Sequence, residues 1–233
     1  VSGNGSTLDP EELAALAERY RAVRQRIPAH VTLVAVSKLR SAAEVKALYD
    51  LGHRDFGENY MQELRVKQAQ LPADIRWHFI GHLQRSNARH AVSLAHLIHG
   101  VDGEALLAKL QKRAASAGMA VRVLLQVHIA QEETKHGLTA AEARMLVGDA
   151  SAGRWPNLLI KGLMGLATHT ADQGTVRAEF EGLSDLFGGL RQAGGPEWDT
   201  LSMGMSGDAE VAIGAGSTLV RIGTAIFGER QPA

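Results

Sequence analysis

Apolar residues follow two alternating rhythms along this chain. In EELAALAERYRAVRQRI, Leu13, Leu16, Ala17, Tyr20, Val23 and Ile27 recur at helical spacing, and Asp9 and Pro10 sit where an N-cap and a first helical residue belong. The pattern predicts a helix that ends near Pro28. The next run, VTLVAVSK over 31–38, is apolar, β-branched and of strand length, and predicts the first strand.

The alternation then repeats. Helical segments at 41–52, 60–71, 86–95, 103–118, 139–151, 176–193 and 208–216 precede strand-like runs at 55–59, 77–81, 97–102, 121–129, 159–167, 200–204 and 218–223. Apolar strands separated by helices belong to a parallel sheet covered by helices. Eight such units in 233 residues predict an α/β fold, a single (β/α)8 TIM barrel, over a doubly wound open sheet. No Gly-x-Gly-x-x-Gly follows the first strand, which weakens the dinucleotide-binding alternative. Little chain follows the eighth strand, so the helix at 9–27 is expected to complete the outer ring. One domain is expected over 9–230, with a disordered or appended tail over 1–8.

Composition narrows the function. The formal net charge is zero and the basic residues are scattered, which argues against nucleic acid and against an anionic membrane surface as partners. No apolar run reaches the roughly 18 residues of a membrane span. The opening VSGNGSTLDP lacks the basic and apolar regions of a signal peptide. Without cysteine there is no disulfide, no thiolate nucleophile and no Cys-ligated metal, a composition that suits a reducing compartment and makes the cytoplasm the expected location.

Barrels of this kind carry their sites at the C-terminal ends of the strands. Strand parity puts Thr32, Val34, Val36 and Lys38 on one face; if that face is inward, the Lys38 amine reaches the barrel mouth and could act as a Schiff-base nucleophile. On position alone, a lysine that snorkels to solvent is the commoner reading. Arg221 shares parity with Leu219 and Gly223 and would carry a permanent cation into the mouth opposite Lys38, although an isolated buried arginine is more often in a structural ion pair. Gly223 and Thr224 after strand eight, and Ser202, Gly204 and Ser206 after strand seven, could form an anion site or could simply turn and cap the chain. Ten histidines raise a metal hypothesis, but there is no His-Glu-x-x-His, and His78 reads as a pocket or core histidine. Lys135, in QEETK, reads as a solvated lysine of a charged loop.

Six motifs in order, VAVSK, FGENYMQE, WHFIGHLQ, GLM, SMGMSGD and VRIGTAIFG, resemble the pyridoxal 5′-phosphate (PLP) homeostasis proteins, the YggS/PROSC family, nearly end to end. The resemblance implies the barrel of the alanine racemase N-terminal domain, with PLP held as a Schiff base and no established catalytic turnover. It makes Lys38 the Schiff-base lysine, Arg221 the partner of the pyridine nitrogen, and Ser202, Gly223 and Thr224 the phosphate cradle. Asn59 and His78 are implied to line the ring pocket, with Ser206 a further candidate on the phosphate side. Ser86 and Asn87, His128 and the 162–174 stretch depart from the family pattern.

The partners implied are PLP and PLP-dependent apoenzymes that receive it, for a monomer that binds no metal. The alternative is a PLP-dependent amino-acid racemase or decarboxylase. Racemases take their second acid–base group from a tyrosine of an added C-terminal domain, and Tyr20, Tyr49 and Tyr60 lie in no comparable domain. A barrel binding another phosphorylated metabolite is a third reading.

Overall fold

The Asp9 side chain accepts from Glu12 N (2.8 Å) and the Glu12 side chain returns to Asp9 N (3.0 Å), a capping box that starts helix α1 (Pro10–Arg26) with Pro10 in its first turn. The computed structural model describes residues 8–132 and 134–229. Apart from Leu8, the expected tail over 1–8 lies outside the described residues, as does Arg230 at the end of the expected domain.

Eight parallel strands close into a barrel in chain order: β1 (Thr32–Val36), β2 (Asp55–Glu58), β3 (Arg76–Phe79), β4 (Leu97–Val101), β5 (Val121–Val127), β6 (Leu158–Gly165), β7 (Thr200–Ser202) and β8 (Leu219–Ile222). β8 pairs with β1, with Arg221 beside Val34. Between the strands run α2 (Ala42–Asp50), α3 (Met61–Gln70), α4 (Ala88–Leu94), α5 (Glu104–Ala117), α6 (Ala140–Ser151), α7 (Gln173–Gly189), α8 (Arg191–Gly194) and α9 (Ala209–Gly214). A short α10 (Thr224–Phe227) follows β8. The expected helix over 176–193 is displaced and divided. Asp172 accepts from Gly174 N (2.9 Å) and starts α7 earlier, and the chain breaks at Leu190, after the poor helix formers Gly188 and Gly189.

Strand parity holds. Val34, Leu97, Leu124, Met164 and Leu219 pack inside the barrel, whereas Leu33, Ala35, Phe56, Trp77, Val220 and Ile222 join the larger core between barrel and helices. α1 packs against both α2 and α10 and takes the place of the eighth outer helix. Its Leu16, Tyr20 and Val23 are buried there, and Arg19 Nε donates to Ile226 O (2.9 Å). Among the described residues, no helix is long and apolar enough to cross a membrane.

Candidate functional site

At the C-terminal ends of the strands lies a cavity of about 500 Å³, lined by Lys38, Asn59, Ser206, Arg221, Gly223 and Thr224 with apolar walls from Val36, Ile80, Met164 and Leu166. Its parts come from the ends of β1, β2, β6 and β8 and from the loop after β7. Arg221 lies on the strand next to that of Lys38, level with Val34, and so lies deeper beside it rather than opposite across the mouth.

The turn carrying Lys38 is anchored on both sides. Ser37 Oγ donates to Glu58 Oε1 (2.6 Å), and Lys67, reaching in from α3, donates to Ser37 O (2.7 Å), Glu58 Oε1 (2.7 Å) and Glu63 Oε2 (3.0 Å). Leu39 N donates to the same Glu63 Oε2 (2.8 Å), and Leu39 is held at a φ of 59°, in the left-handed region. Burial pushes the Glu58 carboxyl above the usual carboxylate range, partly offset by the Lys67 ammonium, and Glu58 Oε2 has no hydrogen-bond partner among the described residues.

Two glycines shape the rim. A Cβ at Gly81 would lie 2.2 Å from Asn59 O, so only glycine lets that loop close over Asn59. Gly204 has a φ of 94°, and a Cβ there would meet the Ala212 Cβ at 2.6 Å; it turns the chain off β7 and packs the Ser206 loop onto α9.

Arg221 is buried, and its Nη1 donates to Ser202 O (2.8 Å) and Oγ (2.5 Å) while Nη2 donates to Gly165 O (2.9 Å). Burial pushes its pKa down to about 10, with Asp208 acting the other way, so it remains a cation at neutral pH. Below it a line of polar side chains continues down the barrel. Ser202 Oγ lies 3.0 Å from His99 Nδ1, His99 Nε2 lies 2.9 Å from His78 Nδ1, and His78 Nε2 lies 3.1 Å from Asp55 Oδ1. Arg76 holds the Asp55 carboxylate with two hydrogen bonds at the other end (2.7 and 2.5 Å).

These contacts correct two expectations. Ser202 and His78 do not line the cavity: both are buried beneath it, with Ser202 Oγ committed to Arg221 and His99, and His78 committed to His99 and Asp55. The other six candidates come together on its walls. Lys135 is not simply solvated, because it donates to Ala167 O (2.6 Å) and pairs with Glu132 (2.9 Å), tying the loops after β5 and β6. His82 leaves the barrel and meets Asp102 at the surface (3.1 Å). Among the described residues, no cluster of three or more metal-ligating side chains occurs.

Sequence reasoning missed His99, Glu58 and Lys67. Two of them had a signal: His99 shares inward parity with Leu97, and Lys67 falls on the buried face of α3 with Met61 and Leu64.

An amine, a buried cation, two hydroxyls and the start of α10, whose first turn no side chain caps, together suit an anionic ligand that carries a carbonyl. Comparison with known proteins agrees with this geometry. The family model described as "Alanine racemase, N-terminal domain" matches residues 12–231. A pyridoxal phosphate homeostasis protein of Pseudomonas aeruginosa is 40% identical over 226 residues, 95% of each chain. PipY of Synechococcus elongatus PCC7942 is 36% identical and covers 91% of this chain and 100% of its own, with a TM-score of 0.86 without PLP and 0.83 with PLP bound. The alanine racemase of Streptomyces coelicolor, at 24% identity and a TM-score of 0.74 over 94% of this chain and 59% of its own, shares the fold. With its barrel, its cavity and these relatives in agreement, the chain belongs to the pyridoxal phosphate homeostasis protein family.

Proposed function

We infer that this chain binds PLP and serves in PLP homeostasis, holding the cofactor without catalytic turnover. The observation that carries the inference is the meeting of Lys38 and Arg221 in one cavity, in a chain so similar to a pyridoxal phosphate homeostasis protein. The donor set fits PLP group by group: an amine for its aldehyde, a cation for its pyridine nitrogen, and hydroxyls beside an uncapped helix start for its phosphate. Gly223 also fits, since a Cβ there would press on Val36 at 3.3 Å.

When bound, PLP would supply an aldehyde for condensation with an amine. Lys38 would provide that amine, Asn59 would border the ring, and Gly223, Thr224 and Ser206 would hold the phosphate. Arg221 keeps its proton at neutral pH and withholds it from the ring nitrogen. By doing so it leaves the ring a poor electron sink, which suits storage better than carbanion chemistry. A racemase reading gains nothing from the cavity. Tyr20 contacts His53, Tyr49 donates to Asp74, and Tyr60 borders a neighbouring cavity instead.

We further propose that PLP-dependent apoenzymes receive the cargo and that the protein works as a monomer in the cytoplasm. Exposed apolar side chains such as Leu13, Val66 and Met145 stand on α1, α3 and α6 rather than in one patch, and the absence of cysteine suits a reducing compartment. The test is direct. Protein mixed with PLP should develop a visible absorption band, and borohydride should fix the cofactor to the Lys38 peptide; label on another lysine with Lys38 unmodified overturns the assignment.

A further inference from the structure

The buried line from Arg221 to Asp55 has a direction. Asp55 is a carboxylate, held well below the usual range against the cost of its own burial by His78 and Arg76, and it can only accept. His78 therefore donates through Nε2. Because Ser202 Oγ already accepts from Arg221 Nη1, its hydrogen goes to His99 Nδ1, so His99 donates through Nε2 and His78 accepts at Nδ1. Ser202 gives its single hydroxyl hydrogen to His99 and leaves its lone pairs for Arg221. Every donor has an acceptor in this arrangement. The reverse polarity fails: with His99 donating to Ser202, which already accepts from Arg221, it leaves the Ser202 hydroxyl hydrogen with no acceptor among the described contacts. Burial also holds His99 neutral, its pKa being pushed well below the ordinary histidine value.

We propose that Ser202, His99 and His78 are positioning residues for Arg221, forming a one-way hydrogen-bond chain that delivers the influence of the Asp55 carboxylate from the far end of the barrel to the guanidinium at the cofactor site. This role rests on Arg221 being the cation that meets the pyridine nitrogen. Among the described residues Arg221 has no carboxylate in direct contact; its acceptors there are two backbone carbonyls and Ser202. The chain gives that third acceptor a fixed orientation and extra polarity, because aligned hydrogen bonds polarise one another at low dielectric. It also explains why Ser202, although part of the SMGMSGD motif, faces inward to the arginine. The chain crosses β8, β7, β4, β3 and β2, so the floor of the barrel is linked to its mouth by side chains from five strands.

Two measurements test this on the whole chain. In the PLP-free protein at pH 7, long-range proton–nitrogen NMR should show His78 and His99 both neutral with hydrogen on Nε2, and Asp55→Asn should change the His78 pattern. In titrations with PLP, His99→Phe, which keeps an aromatic ring and removes both nitrogens, should raise the dissociation constant by roughly tenfold, as for the loss of one oriented hydrogen bond to a charged group. Asp55→Asn should shift it in the same direction by less, while borohydride still labels Lys38 in both variants. The surface substitution His82→Gln should leave both readouts unchanged. A doubly protonated His78, hydrogen on Nδ1 of either ring, or unaltered PLP affinity in both His99→Phe and Asp55→Asn overturns the proposal. A wild-type protein that takes up no PLP overturns the cofactor reading and the ring contact with it, whereas the tautomers are read without PLP and judge the chain separately.

Discussion

Lys38 owes its placement to neighbours that never reach the cavity. Ser37 and Leu39 are tied to a buried cluster of Glu58, Lys67 and Glu63, in which all three Lys67 hydrogens are used. Lys67→Met removes the cation and leaves Glu58 buried beside one hydroxyl donor, which should cost about 3 kcal/mol, the range for breaking a buried ion pair. Adding Glu58→Gln removes the stranded carboxyl, so the double variant should recover more than half of that loss in urea unfolding. Simple additivity of the two single losses would show that the pair is not coupled. Lys38 and Arg221 were legible as candidates because strand parity turns both inward. Lys67 and Glu58 were not, because a charged residue on an otherwise apolar face announces burial but does not name its partner, and the two meet only when α3 packs over β1 and β2. The same holds for Ser202 and His99, which lie 103 residues apart in the chain and meet through barrel closure.

Helices and strands were legible in number and order because each buries a continuous apolar face, but their ends were less so. The apolar runs suggest strands that continue to Lys38, Asn59, Gly81, Asp102 and Gly204, whereas the ladders stop one to two residues short of these positions. There the chain leaves the sheet to build the site. At β7 the cause is local, since the φ of 94° at Gly204 is incompatible with extended backbone. The role of α1 as the closing outer helix followed from the pattern too, and it predicts that α1 contributes as a core element. Leu16→Ala, at a position 2% exposed, should cost about 2 to 5 kcal/mol, as for a buried leucine. Leu13→Ala, three residues earlier and 44% exposed, should change stability by less than about 0.5 kcal/mol. Equal effects in chemical denaturation would mean that α1 does not seal the barrel.

For the whole molecule, stability near neutral pH depends on histidines buried in the neutral form. Burial lowers the His53 pKa from 6.5 to about 4, opposed by its bond to Asp55 O, and burial likewise holds His99 well below the ordinary histidine value. Above pH 6.5 both folded and unfolded chains carry neutral His53, and the group has no effect. As pH falls from 6.5 towards 4 the unfolded state binds a proton that the folded state refuses, and stability drops with it. For His53 alone the loss approaches about 3 kcal/mol, of which about 2 kcal/mol is gone by pH 5. Asp55 adds nothing in this window, because it stays ionised when folded and its contribution is lost only below the ordinary aspartate range. Urea unfolding at pH 7 and at pH 5 should therefore show a marked fall for the wild type and a fall smaller by about 2 kcal/mol for His53→Gln. Gln can still donate to Asp55 O but cannot be protonated, so the difference between the two slopes reports the proton and not the packing. Identical slopes would mean that His53 titrates in the folded barrel as it does in the open chain.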